Sequence, residues 1–138
     1  WEHAFSQGFA QSMLSAEVRR PPELWRDGIA GSPDLIDYAR WRPLDTKFTW
    51  RSMRKLDQLE RYFWPWLVQQ KGYLKMMQGM PGVDRAATRF AELYCFFVNG
   101  DYAPPVPRAR RLLLEFEQAE IEENWEMVRR HAKMRGWL

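Results

Sequence analysis

Arg61-Tyr62-Phe63-Trp64-Pro65-Trp66-Leu67-Val68 is the densest apolar run of the chain, and four of its eight residues are aromatic. Aromatic rings carry the largest burial areas of any side chains. At about 25 cal/mol per Å2, burying four of them is worth several kcal/mol. The run therefore predicts a packing hub rather than a reactive centre, and how the chain enters and leaves it decides the fold. Upstream, Trp50, Met53, Leu56, Leu59 and Phe63 recur at helical spacing, with Arg51, Arg54, Lys55 and Arg61 kept outside. This predicts a helix beginning between Asp45 and Thr49. Pro65 lacks an amide hydrogen and crowds the preceding turn, which predicts a kink or break there. Downstream, Trp66, Leu67, Tyr73, Leu74 and Met77 carry a second limb to about Gln78, closed by the turn Met80-Pro81-Gly82.

The same reading extends in both directions. Phe5, Phe9, Met13 and Ala16 predict a helix over 2–20, stopped by Pro21-Pro22. Ser32-Pro33-Asp34 has the cap, first-turn proline and acid of a helix start, and a short helix with Leu35, Ile36 and Tyr38 should end near Arg42. Asp84 can cap a further helix carrying Ala86, Phe90, Leu93 and Phe97, closed by Asn99-Gly100. Ala103-Pro104-Pro105-Val106-Pro107 reads as a stiff connector. From Arg108 to Lys133, about seven turns, Leu114, Ile121 and Val128 repeat every seven residues, with Trp125 and Ala132 offset by four. The expectation is an all-α protein of about five helices with Pro-rich connectors. Residues 1–103 would form a helical domain with an aromatic core. Residues 104–138 would add the connector and a long C-terminal helix, docked on that domain or on a partner.

A chain of 138 residues with 46% hydrophobic content and eight Trp is long and apolar enough for one folded domain. It has no apolar run of about 18 residues, so no transmembrane helix is expected. Cys95 is the single cysteine and sits between Tyr94 and Phe96. It excludes an internal disulfide and predicts a buried, inert thiol. His3 and His131 stand near opposite ends without Cys or carboxylate partners at ligand spacing, so no metal site or cofactor is expected. Gly79-Met80-Pro81-Gly82 lacks the lysine of a phosphate-binding loop, and there is no Gly-x-Ser-x-Gly elbow. Glu115, Glu117, Glu120, Glu122 and Glu123 read as a solvated helix face. No catalytic residue emerges, and the chain is not expected to be an enzyme.

What remains points to partners. Trp1, Trp25, Trp41, Trp64, Trp66 and Trp137 lie in or beside expected helix ends and loops, and Trp is a residue type that anchors protein interfaces. The sequence opens on Trp1 without a Met, which suggests a processed chain. These features lead to the expectation of a non-catalytic accessory subunit in a large multiprotein assembly. The setting expected is mitochondrial, on the matrix side or at the inner membrane, as part of a respiratory-chain complex or ATP synthase, with peripheral lipid contact through Trp64 and Trp66. The alternative is a mitochondrial ribosomal protein or another RNA-facing component. Residues 40–61 hold seven basic side chains (Arg40, Arg42, Lys47, Arg51, Arg54, Lys55, Arg61) against three acidic ones (Asp45, Asp57, Glu60), interleaved with Trp41 and Trp50. Of these, Arg40, Arg42, Lys47, Arg51, Arg54 and Lys55 are the candidates for contact with RNA or lipid headgroups. A formal net charge of +3 is modest for an RNA-bound protein.

Overall fold

Ala91, Leu93, Cys95 and Phe97 are all fully buried, and the residues between them point to the other side. A period of two is a strand, not a helix. In the computed structural model, which describes residues 17–98 and 106–138, the chain is mixed α/β and the all-α expectation is overturned. The strands are β1 (Val18–Arg19), β2 (Leu24–Arg26), β3 (Ile29–Gly31), β4 (Leu35–Asp37), β5 (Arg42–Thr49), β6 (Phe90–Phe97) and β7 (Arg108–Glu115). The helices are α1 (Leu59–Tyr62), α2 (Trp64–Met77) and α3 (Gln118–Met134), with a 3-10 turn over Met53–Gln58.

The corrections share one physical cause. Leu44, Thr46 and Phe48 alternate with Asp45, Lys47 and Thr49, so the stretch expected to open a long helix is a strand, and only Met53–Tyr62 of it is helical. The Ser32-Pro33-Asp34 start leads into β4, and the expected helix over 84–98 gives β6. The first third of the expected C-terminal helix is β7, and the helix itself starts after Glu117, where Glu117 and Glu120 form a reciprocal capping box. In each case a short apolar run matched both periods, and pairing with a distant strand decided between them. Met53–Tyr62 and Gln118–Met134 keep parts of two expected helices, and α2 falls almost wholly where helical periodicity placed one. Pro65 sits in its first turn, where a missing N–H costs nothing, so it starts the helix instead of kinking it. The expected helix over 2–16, the Asn99-Gly100 stop and residues 103–105 of the connector lie outside the described residues.

Five strands form one mixed sheet in the order β1-β4-β5-β6-β7, and β2-β3 is a separate hairpin. β5 and β6 are parallel, and every other pair is antiparallel. A parallel pair needs a crossover, and α2 supplies it. This sets α2 on one face of the sheet. Phe63 packs there with Leu93, Cys95 and Phe97, while Leu67 and Leu74 meet Ala91, Phe116 and Ile121. Helix α3 lies on α2 and buries Trp125 among Leu24, Ile36, Met76 and Met77. The Trp125 indole N–H donates to Asp27 Oδ2 at 2.7 Å. On the opposite face Glu92 is buried but receives Arg42 at 2.6 Å and Arg111 at 2.8 and 2.9 Å. Burial pushes its carboxyl up, and the two guanidiniums outweigh that and hold it below its ordinary value. No helix among the described residues is long and apolar enough to cross a membrane.

Trp125 is 2% exposed and Trp25 is 65% exposed. Trp125→Ala should cost about 3–5 kcal/mol in denaturant unfolding. Trp25→Ala should stay within about 0.5 kcal/mol of wild type.

Candidate active site

Leu35 opposes Leu44 in the β4-β5 ladder, so the next rung sets Asp34 against Asp45. The two segments grip each other through side chains. The Asp34 N–H donates to Asp45 Oδ1 at 3.2 Å, while the Thr46 N–H and hydroxyl donate to Asp34 Oδ2 at 2.8 and 2.7 Å. Lys47 is two residues beyond Asp45 and projects from the same face of β5. Its Nζ lies 2.6 Å from Asp45 Oδ2 and donates to Gln69 Oε1 at 2.7 Å.

Helix α2 forms the wall opposite. Gln70 Nε2 donates to Asp45 Oδ2 at 3.0 Å. Gln69 and Tyr73, one turn apart, share a helix face. Gln69 Nε2 donates to the Tyr73 hydroxyl at 2.7 Å, and that hydroxyl donates to the Ser32 carbonyl at 3.0 Å. Gly31 lets β3 come this close: a Cβ there would lie 2.9 Å from Met76 Sδ and 3.2 Å from the Tyr73 ring. Hairpin, strand and helix thus converge on one polar cluster in an otherwise apolar interface.

Burial pushes the Asp45 carboxyl above its ordinary value. The Lys47 ammonium opposes that shift, and the Asp34 charge adds to it. Burial, with the Asp45 charge behind it, also pushes the Tyr73 phenol up, so the phenol stays a neutral donor at ordinary pH. Gln70 is fully buried, and its Oε1 accepts no hydrogen bond from the described residues. Among the described residues no three His, Cys, Asp or Glu side chains gather as a metal cage. Mg2+ and Mn2+, as hard ions, need fewer protein ligands, one or two carboxylates with water and substrate phosphate completing the shell. Asp34 and Asp45 offer those oxygens, and a water molecule on such a cation would give Gln70 Oε1 its donor. A cation would also relieve the repulsion between the two carboxylates.

The residues singled out from sequence fall in several places. Lys47 alone is in the cluster. Arg40 pairs with Asp37 at 2.7 Å, and Arg42 pairs with Glu92 on the far face of the sheet. Arg51, Arg54 and Lys55 follow the end of β5. Trp64 and Trp137 are exposed and border one apolar cavity. Trp25 is exposed on the β2-β3 hairpin, and Trp66 is half-buried with its ring stacked 4.3 Å from that of Phe63. Trp41 is half-buried in a left-handed turn with φ of 50°, edge-on to Tyr38. Trp1 lies outside the described residues. Cys95 is buried, and that burial pushes its thiol up to about 12. His131 is exposed.

Sequence reasoning missed Asp34, Asp45, Gln69, Gln70 and Tyr73. The signal that finds them is the period-two reading of 44–49, which puts Asp45 and Lys47 on one strand face. The helical match of Trp50 to Phe63 hides it. No family model, curated protein or solved structure matches this chain, so nothing ties it to a mitochondrial or respiratory-chain assembly.

Because the Asp45 pKa is raised, its proton is held to a higher pH than on an ordinary aspartate and competes with a cation there. Calorimetric titration with Mg2+ should show affinity falling by up to about tenfold per pH unit below that raised value. Asp45→Asn should remove both this pH dependence and most of the affinity.

Proposed function

We propose that this protein is a divalent-cation-dependent hydrolase of phosphodiester bonds in nucleic acid. One observation carries the reading: Asp34 and Asp45 are held against each other at the sheet, with the Lys47 ammonium 2.6 Å from Asp45 Oδ2. A bound cation would polarise the phosphoryl group and lower the pKa of an attacking water. The chain's own residues do the rest. Asp34 and Asp45 would hold the cation through carboxylates that backbone and side-chain donors keep in place. Lys47 offers a positive charge to the phosphoryl oxygen on which charge develops, and Gln69 fixes where that ammonium sits. Water oxygen bonds to phosphorus, the P–O ester bond breaks, and the departing oxygen takes a proton, leaving a phosphate monoester and an alcohol. A polyanionic substrate fits the chain's sequence pI of about 9.2 and the run of basic residues that follows β5.

The test is incubation of the purified protein with DNA and RNA in Mg2+ or Mn2+. Fragments should form and EDTA should stop them. Asp34→Asn, Asp45→Asn and Lys47→Ala should each lower the rate by about 100-fold or more. No hydrolysis in either metal, or full activity in Asp45→Asn, would end this reading.

A second reading, an accessory role in a larger protein assembly, has one observation in its favour. Trp64, 51% exposed, and Trp137, 70% exposed, flank an apolar cavity of about 590 Å3 with Ile29, Val68 and Met127. Fractionating the source extract on a native gradient should then place the chain with a large complex, and Trp137→Ala should release it. Migration of the wild-type chain as a free monomer would remove this second reading.

A further inference from the structure

Trp66, Gln69 and Tyr73 recur along α2 at the spacing of one helical face, and Tyr62 precedes Trp66 by four residues. Gln69 and Tyr73 belong to the cluster around Lys47. Trp66 continues that face toward the start of α2, and Tyr62, at the end of α1 beyond the non-helical Phe63, packs against the same buried cluster as Trp66. Both are half-buried against Phe63, Leu93, Cys95 and Phe97 and keep part of their surface at solvent. From Tyr73 to Trp66 the helix rises about 10 Å.

Two cations frame the far end of this line. Lys55 Nζ lies 4.3 Å from the Tyr62 ring centroid, and the Arg61 guanidinium carbon lies 5.3 Å from it. Some basic side chains are paired with carboxylates, as in Arg42–Glu92 and Lys75–Glu122, and others, such as Arg19, Arg51 and Arg130, have no ion pair among the described residues. Neither Lys55 nor Arg61 has an ion pair among the described residues. Asp57 and Glu60, the acids of the same turn, are exposed. Two part-exposed aromatic rings and two cations without an ion pair thus share a patch at the start of α2, the helix that carries Gln69 and Tyr73 into the cluster.

We infer that this line is a track for a single strand of nucleic acid, with bases stacked on Tyr62 and Trp66 and phosphates held by Lys55 and Arg61. The inference rests on the reading of Asp34, Asp45 and Lys47 given above. Strand state follows from the rings. Inside a duplex each base is covered on both faces by its neighbours, whereas an unpaired base offers a free face to a side chain. Lys55 and Arg61 supply the charge that makes such binding salt-dependent.

Fluorescence anisotropy in EDTA reads binding without cleavage. The probes are a labelled oligothymidylate of about 16 nucleotides, an oligouridylate of equal length and a blunt DNA hairpin. The single strands should bind more tightly than the hairpin, and the tighter of the two names the sugar preferred. Lys55→Glu with Arg61→Glu should weaken single-strand binding at least about tenfold and flatten the log–log salt slope by about 1.4. Tyr62→Ala should weaken it by about tenfold. The two charge reversals touch solvent-facing groups, so they remain informative if Tyr62→Ala folds poorly by circular dichroism. Unchanged binding in the double charge reversal, or tighter binding of the hairpin, overturns the track. Failure of the site reading looks different: wild type binds the oligonucleotides and cleaves nothing in Mg2+ or Mn2+. A wild type that cleaves, with a double reversal of unchanged KM on single strands, sinks the track alone.

Discussion

Two like charges held side by side, Asp34 and Asp45, are the constraint around which the structure is arranged. Asp45 is 3% exposed, and moving a carboxylate out of water costs several kcal/mol unless its oxygens are matched. The matching groups come from three places: Lys47 from β5, Gln70 from α2, and the Asp34 amide from just before β4. The Asp34 and Gln70 contacts, unlike the Asp45–Lys47 pair two residues apart on β5, are not local. They need the β4-β5 pairing and the α2 crossover to be in place together.

The sheet holds a second buried carboxylate, and comparing the two explains why one is read as chemistry and the other as architecture. Glu92 is gripped by Arg42 and by both forks of Arg111, and its carboxyl is held low. Its charge is more than balanced, so it ties β5, β6 and β7 together on the face away from the helices. Burial holds the Asp45 carboxyl high; the one lysine beside it, shared with Gln69, opposes that, and the Asp34 charge adds to it. Perturbation by burial combined with a like charge marks functional sites more often than structural ones.

Tryptophan use divides along similar lines. Trp125 is a core residue with its single polar atom satisfied by Asp27, and Trp66 extends the aromatic stack that begins at Phe63. Trp25, Trp64 and Trp137 keep most of their rings in solvent. The exposed ones lie on the β2-β3 hairpin, at the start of α2 and beyond the end of α3, and Trp50, 77% exposed, follows the end of β5.

Some features were decided by the residues alone. The helix over 64–77 follows from its apolar spacing, the buried thiol of Cys95 from its aromatic neighbours, and the lack of a membrane-crossing helix among the described residues from the charges along the chain. These depend on contacts within a turn or two, which a linear reading captures. The strands 42–49, 90–97 and 108–115, and with them the fold class, were decided by tertiary structure. Phe90, Leu93 and Phe97 fit a helical face as well as a strand, and only hydrogen bonding to β5 and β7, distant in sequence, separates the two. The carboxylate cluster was hidden for the same reason. Asp34 and Asp45 are eleven residues apart in the chain, and the antiparallel register of β4 and β5 is what makes them neighbours.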